Sequence, residues 1–129
     1  MKTTSLKTSQ AIKELGIEVE STFSHKKWFL NAEERWDVVL SKEMEYDYPE
    51  RYPAYTLSEL PSVLQAVGEK LRWKNLCTFS GDCGKHLEGK GPCEDVIQET
   101  WIYHFLEICE LHARGEDWDE VLYELVTRR

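Results

Sequence analysis

The chain predicts an α+β fold, with a small antiparallel sheet packed against several helices and a C-terminal helical hairpin. Three observations lead there. From Pro92 to Gly115 apolar residues recur at helical spacing, and from Glu18 to Ser41 they fall into two short β-favouring runs. Between these, Thr56-Leu57-Ser58-Glu59 has the form of a helix-capping box. At 129 residues with 41% hydrophobic content, the chain fits one domain, residues 1–129, with enough apolar surface for a core without staples.

Taken in order, Thr3 to Ser9 offers several N-cap residues, and Leu6, Ala11, Ile12 and Leu15 follow on a helical period. Gly16 stands where a left-handed residue ends a helix, with Ile17 to close the cap. A first helix from about Ser5 to Leu15 is expected. Next, Val19, Phe23, Trp28, Phe29, Leu30, Trp36, Val38, Val39 and Leu40 predict two antiparallel strands. Their spans are about Thr22 to Leu30 and Arg35 to Ser41, joined by a tight turn. Ala32 to Lys42 also suits a helix, which is the competing assignment.

Glu43 to Tyr55 carries four tyrosines (Tyr46, Tyr48, Tyr52, Tyr55) and two prolines (Pro49, Pro53). The prolines predict neither helix nor central strand. A connecting loop is expected, its tyrosines resting on the core with their hydroxyls in water. The alternative is an aromatic surface that stacks on a base, a sugar or a proline-rich peptide. After it, the box at Thr56 opens a helix whose stripe is Leu60, Val63, Leu64, Val67 and Leu71. Pro61 leaves two starts open, one at Thr56 and one at Pro61 after a short turn.

Tyr52-Pro53-Ala54-Tyr55-Thr56-Leu57-Ser58-Glu59-Leu60-Pro61 is joined upstream by Ser5-Leu6-Lys7-Thr8-Ser9 and by Leu15 to Phe23. Together they resemble a group of short uncharacterised proteins of phages, prophages and mobile elements of Bacteroides-type bacteria. In that group a short helix and a strand hairpin lead into a YPA-aromatic-TLxEL element. The resemblance covers the first half of the chain clearly and the helix at Asp95 to Glu107 loosely. The chain departs from the group between Leu76 and Pro92 and in its acidic tail. The resemblance implies a fold type and a genomic setting, and no activity.

Trp73 to Ser80 is expected as a further strand of the sheet or as a frayed helix end. Gly81 to Gly91, with four of the seven glycines, reads as a loop. The long helix from Pro92 then places Ile97, Trp101, Phe105, Ile108 and His112 on one line, widened by Ile102, Cys109 and Leu111. Asp95, Glu99, Tyr103, Glu107 and Glu110 lie opposite. The apolar face is expected to be covered by the helix after Thr56, the hairpin tryptophans and the final helix. That final helix is capped by Asp117 with Glu120 completing a box, and buries Trp118, Val121, Leu122, Leu125 and Val126.

Metal chemistry has one candidate, Cys77-x5-Cys83-x2-His86-x6-Cys93, whose thiolates and imidazole form a permitted zinc set. No C-x2-C pair supports it, and a surface loop with ordinary thiols explains the same residues. Cys109 with His104 or His112 is a conceivable nucleophile pair, but an acidic, apolar helix suits a buried cysteine and core histidines better. Phosphate-loop glycine patterns are absent, and His25-Lys26-Lys27 is too small a basic patch for nucleic acid.

The formal charge is −8, and Glu94 to Glu124 holds ten acids against one base, Arg114. A surface of that sign repels phosphate backbones, so direct nucleic-acid binding is not expected. No apolar run is long enough to span a bilayer, and the first residues lack the apolar segment of a secretory signal. A cytoplasmic protein with reduced thiols and no membrane partner is therefore expected. Its expected function is that of a non-enzymatic accessory protein of a phage or mobile element, binding a protein partner through an acidic helical face. Glu99, Glu107, Glu110, Glu116 and Asp119 are the candidate contact residues. The alternative is a small zinc-binding or thiol-dependent protein centred on Cys77, Cys83, His86 and Cys93; otherwise no cofactor is expected.

Overall fold

A computed structural model describes residues 2–30, 33–43, 51–73, 76–77 and 97–128. Helix α1 spans Leu6–Glu14, and the Ser5 hydroxyl caps it by accepting the Thr8 N–H at 3.3 Å. Gly16 ends it with φ +79°, the left-handed region that a Cβ disfavours, and Ile17 is buried behind the cap. Both signals were local, and both ends of the helix formed where they pointed.

Strands β1 (Phe23–Leu30) and β2 (Glu33–Leu40) pair antiparallel, from Phe23 opposite Leu40 to Leu30 opposite Glu33. The helical assignment for this stretch therefore fails over Glu33–Leu40, and a 3-10 turn follows at Ser41–Glu43. Alternation of Trp36 and Val38 with Arg35 and Asp37 suits a two-faced strand, and it outweighs the helix propensity of the glutamates. β3 (Arg51–Ala54) pairs along the other side of β1, giving the sheet order β2-β1-β3. That strand corrects the expectation of a loop ending at Tyr55. Pro53 lies opposite Ser24, and an end strand tolerates a residue with no N–H to donate. Tyr46, Tyr48 and Pro49 lie outside the described residues.

Tyr55 is fully buried, and its hydroxyl donates to the Val19 carbonyl at 2.7 Å instead of to water. Burial pushes its pKa up to about 12. The box that follows forms around one carboxylate. Glu59 Oε1 accepts the Thr56 N–H at 2.9 Å and the Thr56 hydroxyl at 3.0 Å. Its Oε2 accepts the Thr22 N–H at 2.8 Å, so the helix cap also grips the start of the sheet. A 3-10 turn, Leu57–Glu59, leads into α2 (Leu60–Leu71), with Pro61 in the first helical turn where its missing donor costs nothing. Leu60, Val63, Leu64 and Val67 are all fully buried.

The long helix is shorter than its periodicity suggested. α3 spans Thr100–Ala113, while Ile97–Gln98 form a strand, β5, against β4 (Leu76–Cys77). Ile97 continues the helical period in sequence, but it is β-branched and finds a partner strand. Glu99, with ψ 141°, leaves the chain extended until the helix begins. Residues 92–96 lie outside the described residues. Leu76 and Cys77 thus join a separate ladder and not the sheet of β1.

Gly115 ends α3 with φ +73°; its N–H donates to the His112 carbonyl at 3.0 Å and the Glu116 N–H donates to Leu111 at 2.9 Å. The chain then reverses into α4 (Asp119–Thr127), giving the C-terminal hairpin. Its two arms take different partners: α3 packs on α2, and α4 packs on α1, which in turn packs on β3. The core cluster joins Ile12, Tyr55, Val63, Leu64, Ile108, Trp118 and Leu122. Among the described side chains, none of the β1–β2 hairpin belongs to it; the side chain of Trp28 lies outside them. Trp36 instead faces Tyr52 across the sheet at 5.8 Å, so it does not cover α3 as expected.

A buried polar seam ties these layers together. The Thr4 N–H donates to the Tyr55 carbonyl at 2.8 Å, and the Tyr55 N–H donates to the Thr4 hydroxyl oxygen at 3.0 Å. His25 Nε2 donates to the Thr4 carbonyl at 2.9 Å. The Asp119 carboxylate accepts the Ser5 N–H at 2.8 Å and the Thr8 hydroxyl at 3.1 Å. Asp119→Ala leaves the buried Thr8 hydroxyl and the part-buried Ser5 N–H without their acceptor. It should lower stability by about 3 kcal/mol in a denaturant melt, and a loss under about 0.5 kcal/mol would contradict this role.

Burial holds the His25 pKa below its ordinary 6.5, with Asp119 opposing the shift. The unfolded chain then takes up the proton first as pH falls, so this contribution is complete above the unfolded pKa and is lost on acidification. His104 is shifted the same way by burial. The melting temperature should fall between about pH 8 and about pH 5, with a shallower fall in His25→Gln. An equal slope in the two proteins removes His25 from the account.

Candidate protein-binding face

Helix α3 carries one buried face and one outward face. Ile108 is fully buried, with Trp101, Phe105 and Leu111 half-buried beside it against the core. At 100° per residue, positions 103, 106, 107 and 110 share the opposite side, with Glu99 just ahead of the first turn. Tyr103 is 52% exposed and Leu106 57% exposed, among the largest apolar exposures of the described residues. Glu99, Glu107 and Glu110 are exposed around them. The outcome is an apolar centre of one aromatic and one leucine, framed by carboxylates. The sequence placed Tyr103 on this side but passed over Leu106, although a spacing of three from Tyr103 and four to Glu110 was there to find.

The predicted acidic contacts divide. Glu99, Glu107, Glu110 and Glu116 are exposed, as a contact surface requires. Asp119 is not: at 5% exposure its carboxylate is committed to Ser5 and Thr8, so it belongs to the seam. An acid at a helix start looks like a cap in sequence, but the N-terminal chain folds over this one. Asp117, expected as the cap, stands one residue before the N-cap Trp118; it accepts the Asp119 N–H at 3.0 Å, and its other neighbour is the Lys2 ammonium. That lysine and the Asp119 N–H hold the Asp117 carboxyl below its usual range. Glu120 does not close a box; it pairs with Lys7 at 3.1 Å. On α3, Glu110 pairs with Arg114, and Glu99 accepts the Trp101 indole N–H. Among the described residues, the exposed acids Glu99, Glu107, Glu116 and Glu124 of this segment therefore meet no cation within 4 Å.

The other candidate sites do not assemble among the described residues. Cys83, His86 and Cys93 lie outside them, and Cys77 is described only as a position on β4. No group of three His, Cys, Asp or Glu side chains suited to a metal occurs among the described residues. Cys109 is half-buried, and no hydrogen bond joins it to His104 or His112. His104 stands edge-on to Trp73 at 4.8 Å and to Tyr103 at 5.6 Å, and burial lowers its pKa. His112, expected on the core line, is exposed because the helix ends within a turn of it.

His112 helps line a cleft of about 440 Å³ with Leu57, Ser58, Phe105, Trp118 and Lys2. Its walls are mostly apolar, and the Lys2 ammonium lies 5.1 Å from the centre of the Trp118 ring. A second cleft of about 350 Å³ runs between Trp73, Trp101, Arg72 and Glu99. Among the described residues, no hydrogen bond in either cleft joins a nucleophile to a base. Among the described residues no helix is long and apolar enough to cross a membrane. No family model, curated protein or solved structure matches the chain.

Proposed function

We propose that this chain is a non-enzymatic accessory protein that binds a basic protein partner through the outward face of α3. The single observation that supports this most is the pairing of exposed Tyr103 and Leu106 inside a frame of Glu99, Glu107 and Glu110. Interfaces are built in this way, with aromatic and aliphatic anchors at the centre and charge at the rim. The carboxylates select a partner of opposite sign and speed its approach more than they add affinity. Setting the protein in a phage or mobile element rests on the resemblance carried by Tyr52 to Pro61.

Affinity capture from host lysate tests the proposal when wild type is compared with two variants. Tyr103→Ala/Leu106→Ala should weaken capture of a basic protein about tenfold or more, since two anchors are lost. Glu107→Lys/Glu110→Lys should weaken it through the rim, and salt should do the same to wild type. A captured protein that both variants retain as well as wild type would place binding elsewhere.

A further inference from the structure

The outer edge of β2 offers a second, independent surface. One step beyond the Phe23–Leu40 pair, the Ser41 N–H donates to the Thr22 carbonyl at 2.9 Å. An antiparallel ladder alternates, so Glu33, Arg35, Asp37 and Val39 turn their backbone groups toward β1. Glu34, Trp36, Val38 and Leu40 then turn theirs outward. Among the described residues no strand meets that row, because the sheet order β2-β1-β3 ends at β2. The strand is 8 residues long, and Val38 on it is 45% exposed. An edge of that length, unpaired among the described residues, is a template for another strand.

Charges on an edge ordinarily repel a second strand, but the charges here complement themselves. Exposed Arg35 and half-buried Asp37 share one face of β2, and within the chain they lie 3.4 Å apart. We propose that this edge pairs antiparallel with the same edge of a second copy of this chain, about a two-fold axis at Trp36. That register sets each Arg35 opposite the other copy's Asp37, twice over by symmetry. Both pairs fall at positions without mutual hydrogen bonds, where the Cα atoms approach to about 4.5 Å and side chains meet most closely. Outward N–H and C=O groups of Trp36 then bond to those of Trp36 in the copy, and Val38 lies across from Glu34. The neighbouring registers fail: an axis at Arg35 sets arginine on arginine, and an axis at Asp37 sets carboxylate on carboxylate. The joint is a continuous sheet across two chains, a form of strand addition. It uses a surface separate from the α3 face, so the two proposals stand or fall apart.

Light scattering on the full chain across a concentration series tests it. Twice the 15.2 kDa chain mass is expected at high concentration, with dissociation on dilution. Asp37→Arg sets arginine against arginine at two points and should weaken the dimer about tenfold or more. Arg35→Asp/Asp37→Arg exchanges the charges and should restore wild-type dimerisation. Hydrogen exchange on the wild type, which needs no variant to fold, should show the Trp36 and Val38 amides slowing as concentration rises. A mass of 15.2 kDa at every concentration, or exchange of those amides independent of concentration, overturns the proposal. So does Asp37→Arg that dimerises like wild type, or a folded exchange variant that stays as weak as the single one.

Discussion

The fold depends on Thr4. Its backbone and hydroxyl together meet Tyr55, His25 and Ser9, and the next residue donates to Asp119 on the last helix. Thr4, Thr8 and Ser9 are fully buried, so every one of these polar atoms must find a partner inside the protein. Thr3 also forms an isolated antiparallel bridge with Thr56. A segment that would otherwise fray is thereby the junction at which sheet, first helix and last helix meet.

This junction explains why the C-terminal hairpin opens as it does. α4 is drawn to α1 by Asp119 and by Lys7, while α3 stays with α2. Trp118 fills the space between, fully buried in the core cluster. With α3 held on one side only, its far side is left to solvent, and Tyr103 and Leu106 are exposed there. The lysines at positions 2 and 7 neutralise the acids that begin α4. The exposed C-terminal acids left without a cation among the described residues consequently lie on the outward face of α3, in the turn after it and at Glu124 of α4.

Signals confined to one turn of chain were legible in the sequence. Ser5, Gly16 and the pair Thr56 and Glu59 each carry their own capping chemistry, and the alternation around Trp36 carries its own strand. What escaped was set by distant neighbours. Pro53 argues against a strand until its place at the sheet edge is known. Ile97 fits a helical period until β4 lies beside it. Asp119 reads as one more surface acid until the N-terminal chain covers it, and no local pattern distinguishes it from Asp117 or Glu120. Of the candidate face, the carboxylates were found by charge and Tyr103 by period. Leu106 was missed because an exposed leucine cannot be told from a buried one by composition.

Amide hydrogen exchange at Thr4 and Ser5 tests the junction most directly. If it holds the fold, both amides exchange only through global unfolding, as slowly as those of the core helix α2. Exchange of the two amides in the fast regime of a fraying terminus, with α2 still protected, would contradict it.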